Sequence, residues 1–286
     1  MRRAPDIAAD AAARLGYIGS PAGGRPPLTP SRNIARARAG RRRPWWTSLS
    51  DEALLDVPLA KLGLTIAGSR LEPLLARLGR ELERAGIRRF RPHAWLSTGW
   101  FTPHGMTGFA IPFYAAHPRL VVLERRMIGY AEGGDAMGCM RILRHEAGHA
   151  IDNAYRLHRR ASWRSHFGPF GEPYRSTYRP RGDRAQFVEN IGHGYATSHP
   201  CEDWAETFAV WLAPGSRWRT RYAGLPALRK LCYVNELVHE IRDLPPVVHV
   251  RERVDPLAEQ RATLREYYAR KGTKLGRARL RGEFLR

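Results

Sequence analysis

The residues best suited to chemistry are His145-Glu146-Ala147-Gly148-His149. In an α-helix, positions i and i+4 stack on one face. Two imidazoles placed so can each offer a ring nitrogen to one zinc ion, about 2.0–2.1 Å away. Glu146 sits too close in sequence to join them as a ligand; it can instead hold a water at the metal and take its proton. A hydrolytic zinc uses three protein ligands and keeps one position open, so a third is expected from a later element. The stretch His199-Pro200-Cys201-Glu202-Asp203-Trp204-Ala205-Glu206 offers it. Pro200 suits a first helical position, and acidic residues in the first turn suit the helix dipole. Glu202 and Glu206 share a face. One can bind the ion while the other accepts a hydrogen bond from the free ring N–H of a histidine and fixes its orientation. Cys201 and Phe208 are expected to point away, toward the core. His166, His193 and His199 are rival ligands, although His199 reads more simply as a helix-entry residue. A lone acidic pair at this spacing is ordinarily a solvated face, and only the histidine pair gives it another meaning.

Such groups need elements to hold them. The pattern from 136 to 158 predicts a long helix with Met137, Met140, Leu143, Ala147, Ala150 and Ile151 as its apolar stripe. Gly148 costs that helix about 1 kcal/mol relative to alanine, which a close approach by another element would explain. Leucines at helical spacing predict an earlier helix over 71–85, stopped at Gly86, and two later ones near 201–213 and 225–242. Short apolar runs at 94–101, 109–114 and 120–123, punctuated by Gly and Pro, read as strands. The segment 159–185, rich in Arg, aromatics, Gly and Pro, reads as a long loop. Strands followed by helices point to an α+β fold, with a small twisted sheet packed on the active-site helix and a mainly helical C-terminal half. The expected organisation is a flexible basic arm over 1–44, a catalytic domain over 45–256 and a basic helical tail over 257–286 that frays from Lys271.

Composition bounds the alternatives. Lys and Arg number 48 against 27 Asp and Glu, a net charge of +21 that favours anionic partners such as nucleic acid or an acidic surface. Basic and aromatic residues mix in Ser162-Trp163-Arg164-Ser165-His166-Phe167 and in Tyr174-Arg175-Ser176-Thr177-Tyr178-Arg179, as a stacking and phosphate surface requires. The competing reading is therefore a basic nucleic-acid-associated protein with a structural or vestigial zinc site. Three scattered cysteines, Cys139, Cys201 and Cys232, form no disulfide framework and no CxxC site. With no secretory signal and no run of about 20 apolar residues, a cytoplasmic location and no transmembrane segment are expected.

His145-Glu-Ala-Gly-His149 followed by His199-Pro-Cys-Glu-Asp-Trp-Ala-Glu-Thr-Phe208 resembles the bacterial putative zinc-binding metallopeptidases over roughly residues 136–215. More remotely, the pattern is similar to the catalytic domain of anthrax lethal factor, a zincin with a glutamate third ligand. The resemblance implies a zincin-like fold and one Zn2+ held by His145, His149 and Glu202, with Glu206 in support. It also implies that Tyr195, seven positions before Glu202, faces the metal and donates to the oxyanion. Metal-assisted hydrolysis of a peptide or protein substrate, with Glu146 as base, is the activity implied. By analogy with zincins, Leu120-Val121-Val122-Leu123 is expected to be the edge strand along which the substrate lies.

Overall fold

The computed structural model describes residues 43–174, 184–192 and 194–280. The arm before residue 43, His193 and the 175–183 part of the long segment fall outside them. Near the start of the described residues, Trp46 is fully buried and donates its indole N–H to the Leu62 carbonyl at 2.8 Å. A short helix α1, Asp51–Leu55, begins at the Ser50 cap. Helix α2, Leu71–Arg84, buries Leu71, Leu78 and Leu82 along one face. It ends before Gly86, whose φ of +96° lies in the left-handed region that glycine tolerates.

Strands β1, His93–Ser97, and β2, Gly108–Pro112, pair in parallel to form a two-stranded sheet. The far edge of β2 is touched at one point, where the Ala110 N–H donates to the Phe101 carbonyl. Two of the three predicted strands are therefore present. The third is a helix: α3 spans Pro118–Ile128 and contains the whole 120–123 run. His117 caps it by accepting from the Arg119 N–H, Pro118 occupies the first position, and Gly129 closes it in the left-handed region. Leu120, Glu124 and Ile128 repeat every four residues and are all buried while Val122 is 53 % exposed, so the run winds round a helix and does not alternate as a strand would. It cannot serve as an edge strand for substrate.

Helix α4, Ala136–Tyr155, starts at Asp135, whose carboxylate accepts from the Gly138 N–H at 2.8 Å, and ends with Arg156 in the left-handed region. From Ile142 onward nearly every residue is buried, so α4 is the central helix of the core. Met137, placed by its spacing on the apolar stripe, is instead 77 % exposed on the first turn. The segment after α4 is not all loop, because Ala161–Phe167 forms helix α5. Trp163 and Phe167 on it are buried, so these two rings offer no surface on which bases could stack.

Helix α6, Pro200–Leu212, packs along α4 more extensively than any other described pair of helices. Trp204 on it is fully buried and donates to the Gly148 carbonyl at 2.9 Å. A short helix α7, Trp218–Arg221, and helix α8, Leu228–Ile241, follow. Helix α9, Leu264–Leu280, returns against α3 and α1. The tail does not fray at Lys271: that ammonium is buried, pairs with Glu124 of α3 and also donates to the Tyr267 hydroxyl at 3.1 Å. The fold thus joins a small sheet to a mainly helical body. Among the described residues, no helix is long and apolar enough to cross a membrane.

Candidate metal centre

The site lies where α4 meets α6. Gly148 lets the two helices approach: a Cβ there would lie 3.2 Å from the Ala205 Cα and 3.2 Å from the Phe208 Cδ1. The close approach anticipated at this glycine is supplied by α6. His145 and His149 stand on the α4 face that meets Glu202 and Glu206, one turn apart on α6. His145 Nε2 lies 3.0 Å from Glu202 Oε2 and 3.1 Å from His149 Nε2, and His149 Nε2 lies 3.2 Å from the same oxygen. Among the described residues, these three side chains are the group that converges as metal ligands do.

The donor set fits zinc. Glu206 Oε1 lies 3.0 Å from His145 Nδ1, and its Oε2 accepts from the Asn190 and Ile191 amides at 2.8 Å each. A carboxylate only accepts, so Nδ1 of His145 carries the proton and Nε2 turns toward Glu202. One proton cannot serve three mutual contacts between two imidazole nitrogens and a carboxylate oxygen, whereas a divalent cation meets all three. Tetrahedral zinc, with bonds of about 2.0–2.1 Å, spaces its ligand atoms about 3.3 Å apart, close to the triangle found here.

Residues 138–234 match the family described as "Putative zinc-binding metallo-peptidase". No curated protein and no solved structure matches the chain, so the remote likeness to lethal factor gains no support there. The matched stretch of this zinc-binding metallo-peptidase family starts in the first turn of α4 and ends within α8. It includes His145, Glu146, His149, Tyr195, Glu202 and Glu206.

Electrostatics accord with a cation site. Burial opposes ionisation of Glu202, but the His149 and His145 imidazoles outweigh it and hold the carboxyl well below its usual range. Burial likewise opposes charge on His145, yet hydrogen bonds to Glu202 and Glu206 raise its pKa well above 6.5. An imidazole binds a metal only through a nitrogen free of its proton, so the affinity of such a site is pH-dependent. Glu146 is buried beside the histidines, and its Oε2 accepts from the Thr102 hydroxyl at 2.8 Å. Burial raises its pKa, partly offset by the two imidazoles and by Thr102.

Tyr195 stands in a single 3-10 turn, 195–197, with its ring centre 5.5 Å from that of His145. His199 is the N-cap of α6, accepting from the Cys201 N–H at 3.1 Å, and is not part of the converging group. His166 stacks on Tyr233 at 4.2 Å instead, and His193 lies outside the described residues. Asp152 is buried on the same helix as the histidine pair and engages His158, accepting from its backbone N–H at 2.7 Å and lying 3.0 Å from its ring Nδ1. Cys201 does not turn away from the site. Its Sγ lies 2.8 Å from the Tyr174 hydroxyl and 2.9 Å from His199 Nδ1. Tyr174 itself, 2.9 Å from Glu202 Oε1, is the contact that spacing did not suggest.

Proposed function

We propose that this protein is a zinc-dependent peptidase that hydrolyses peptide bonds with Glu146 as general base. The observation that carries the proposal is a buried, hydroxyl-bonded carboxyl immediately beside a convergent His–His–Glu set. A site serving only the fold has no use for such a group. Zinc bound there supplies a Lewis acid that polarises a carbonyl and brings the pKa of a water toward about 7.

Glu146 accepts the proton of the attacking water and returns it to the leaving amine. Burial shifts its pKa upward, which makes the carboxylate a stronger base toward that water. Glu206 locks the His145 ring with Nδ1–H outward, leaving Nε2 to face the ion. Tyr195 is assigned the oxyanion contact on the strength of the family resemblance together with its place beside His145.

The test is Glu146→Gln, assayed for zinc content and for cleavage of a peptide library in parallel. Retained zinc with turnover reduced at least about 100-fold is expected, the scale of a lost general base. Undiminished, chelator-sensitive cleavage by the variant would remove Glu146 from the mechanism.

A further inference from the structure

Glu202 has two carboxylate oxygens, and the surroundings treat them differently. Oε2 faces both histidines, while Oε1 accepts from the Tyr174 hydroxyl at 2.9 Å. The same hydroxyl lies 2.8 Å from Cys201 Sγ. Since Glu202 can only accept, the phenol proton goes to Oε1, and the Cys201 thiol can turn to the phenol oxygen, to His199 Nδ1 or, at 3.7 Å, to the same Oε1. A phenol, with an ordinary pKa of about 10, is protonated at neutral pH and therefore a donor.

Tyr174 is held in place independently of the metal. Its ring stacks on His199 with centres 4.2 Å apart and planes 7° from parallel. His199 is fixed in turn: Nδ1 accepts from the Cys201 N–H, so the ring proton is on Nε2, which donates to the Glu172 carbonyl at 2.8 Å. The N-cap of α6 thus anchors both the backbone of the 172–174 stretch and the ring that stretch carries. Phe170 continues the contact, edge-on to His199 at 5.8 Å.

We propose that Tyr174 is a positioning residue for the metal: its hydroxyl occupies Oε1 of Glu202 and so commits Oε2 to the ion. This rests on the reading of His145, His149 and Glu202 as zinc ligands. Without the phenol, Oε1 is left with the longer Cys201 thiol contact at 3.7 Å, the carboxylate is held less firmly against rotation about its terminal torsion, and the ligand set loses its preset geometry.

The test is Tyr174→Phe, which keeps the ring on His199 and removes only the donor. Zinc affinity is measured by chelator competition on the full chain, and the melting temperature is measured on the metal-free protein. A 10- to 100-fold weaker zinc affinity, the usual effect of removing a partner of a metal ligand, is expected with the metal-free melting temperature unchanged. Cobalt-loaded protein should show altered d–d bands in the variant, which a purely structural role would not produce. Unchanged affinity and bands in Tyr174→Phe, with the unmodified protein binding zinc, overturn the role of Tyr174 alone. If the unmodified protein binds no zinc, or if His145→Ala binds as well as it does, the ligand assignment falls and the inference with it.

Discussion

Replacing Gly148 by alanine probes the contact on which the site is built. A helical glycine-to-alanine change in open surroundings gains up to about 1 kcal/mol. Here the new methyl would meet a backbone atom, the Ala205 Cα, at 3.2 Å, and Phe208 at 3.2 and 3.3 Å. These separations are tighter than ordinary van der Waals contact, so α4 and α6 must part by a few tenths of an ångström. Overpacking of this kind costs about 1–3 kcal/mol. The net change therefore runs from near zero to about 2 kcal/mol of lost stability. Glu202 and Glu206 ride on α6 and the histidines on α4, so zinc affinity should fall as well. Gly272 on α9 is the control, because a Cβ there meets nothing within 4 Å. Urea unfolding of both variants, with and without zinc, gives the comparison. Gly272→Ala should gain stability and leave zinc binding alone, while Gly148→Ala gains nothing and binds zinc more weakly. An equal gain in both, with zinc affinity intact, would refute the close approach of the two helices.

Other perturbations address the groups around the site. Arg144, next to His145 on α4, makes two hydrogen bonds to Glu81 at 2.7 and 2.9 Å, both side chains being buried. Glu81→Ala leaves that guanidinium unpaired and should cost about 3–5 kcal/mol in urea unfolding. Burial opposes the Glu81 charge, but Arg144 and Arg77 outweigh it and hold its pKa below 4.5. The native state thus binds this proton less readily than the unfolded chain, so the contribution is complete above 4.5 and is lost as pH falls through the depressed value. Melting curves from pH 6 downward should show this loss in the unmodified protein and not in Glu81→Ala. Thr102→Val removes the hydroxyl that favours ionised Glu146; the acid limb of the kcat/KM profile should move to higher pH, and a shift to lower pH would contradict the assignment.

How much of this was legible depended on how local the determinants are. The pairs His145/His149 and Glu202/Glu206 are set by helical spacing alone, and the start of α6, read near 201, falls at Pro200 behind its His199 cap. The meeting of the two helices was foreshadowed by Gly148, a residue with no local reason to sit in a helix. The 120–123 run misled because four apolar residues in succession fit a strand and a helix face equally well. The deciding signals flank it: Pro118 behind a capping histidine, and Gly129 eleven residues on. The helix at 161–167 was submerged in a segment whose Arg, Gly and Pro content reads as loop. Tyr174 could not have been found this way. Its link to Glu202 spans 28 positions in sequence and exists only because the 172–174 stretch folds back onto the cap of α6.

X-ray absorption at the zinc edge of the purified, zinc-loaded chain tests the ligand set most directly. One ion per chain is predicted, with nitrogen and oxygen scatterers at about 2.0–2.1 Å and the outer-shell pattern of two imidazoles. A sulfur scatterer at about 2.3 Å would put Cys201 on the metal in place of Glu202. Such a sulfur signal, or a protein that retains no zinc, would contradict the account.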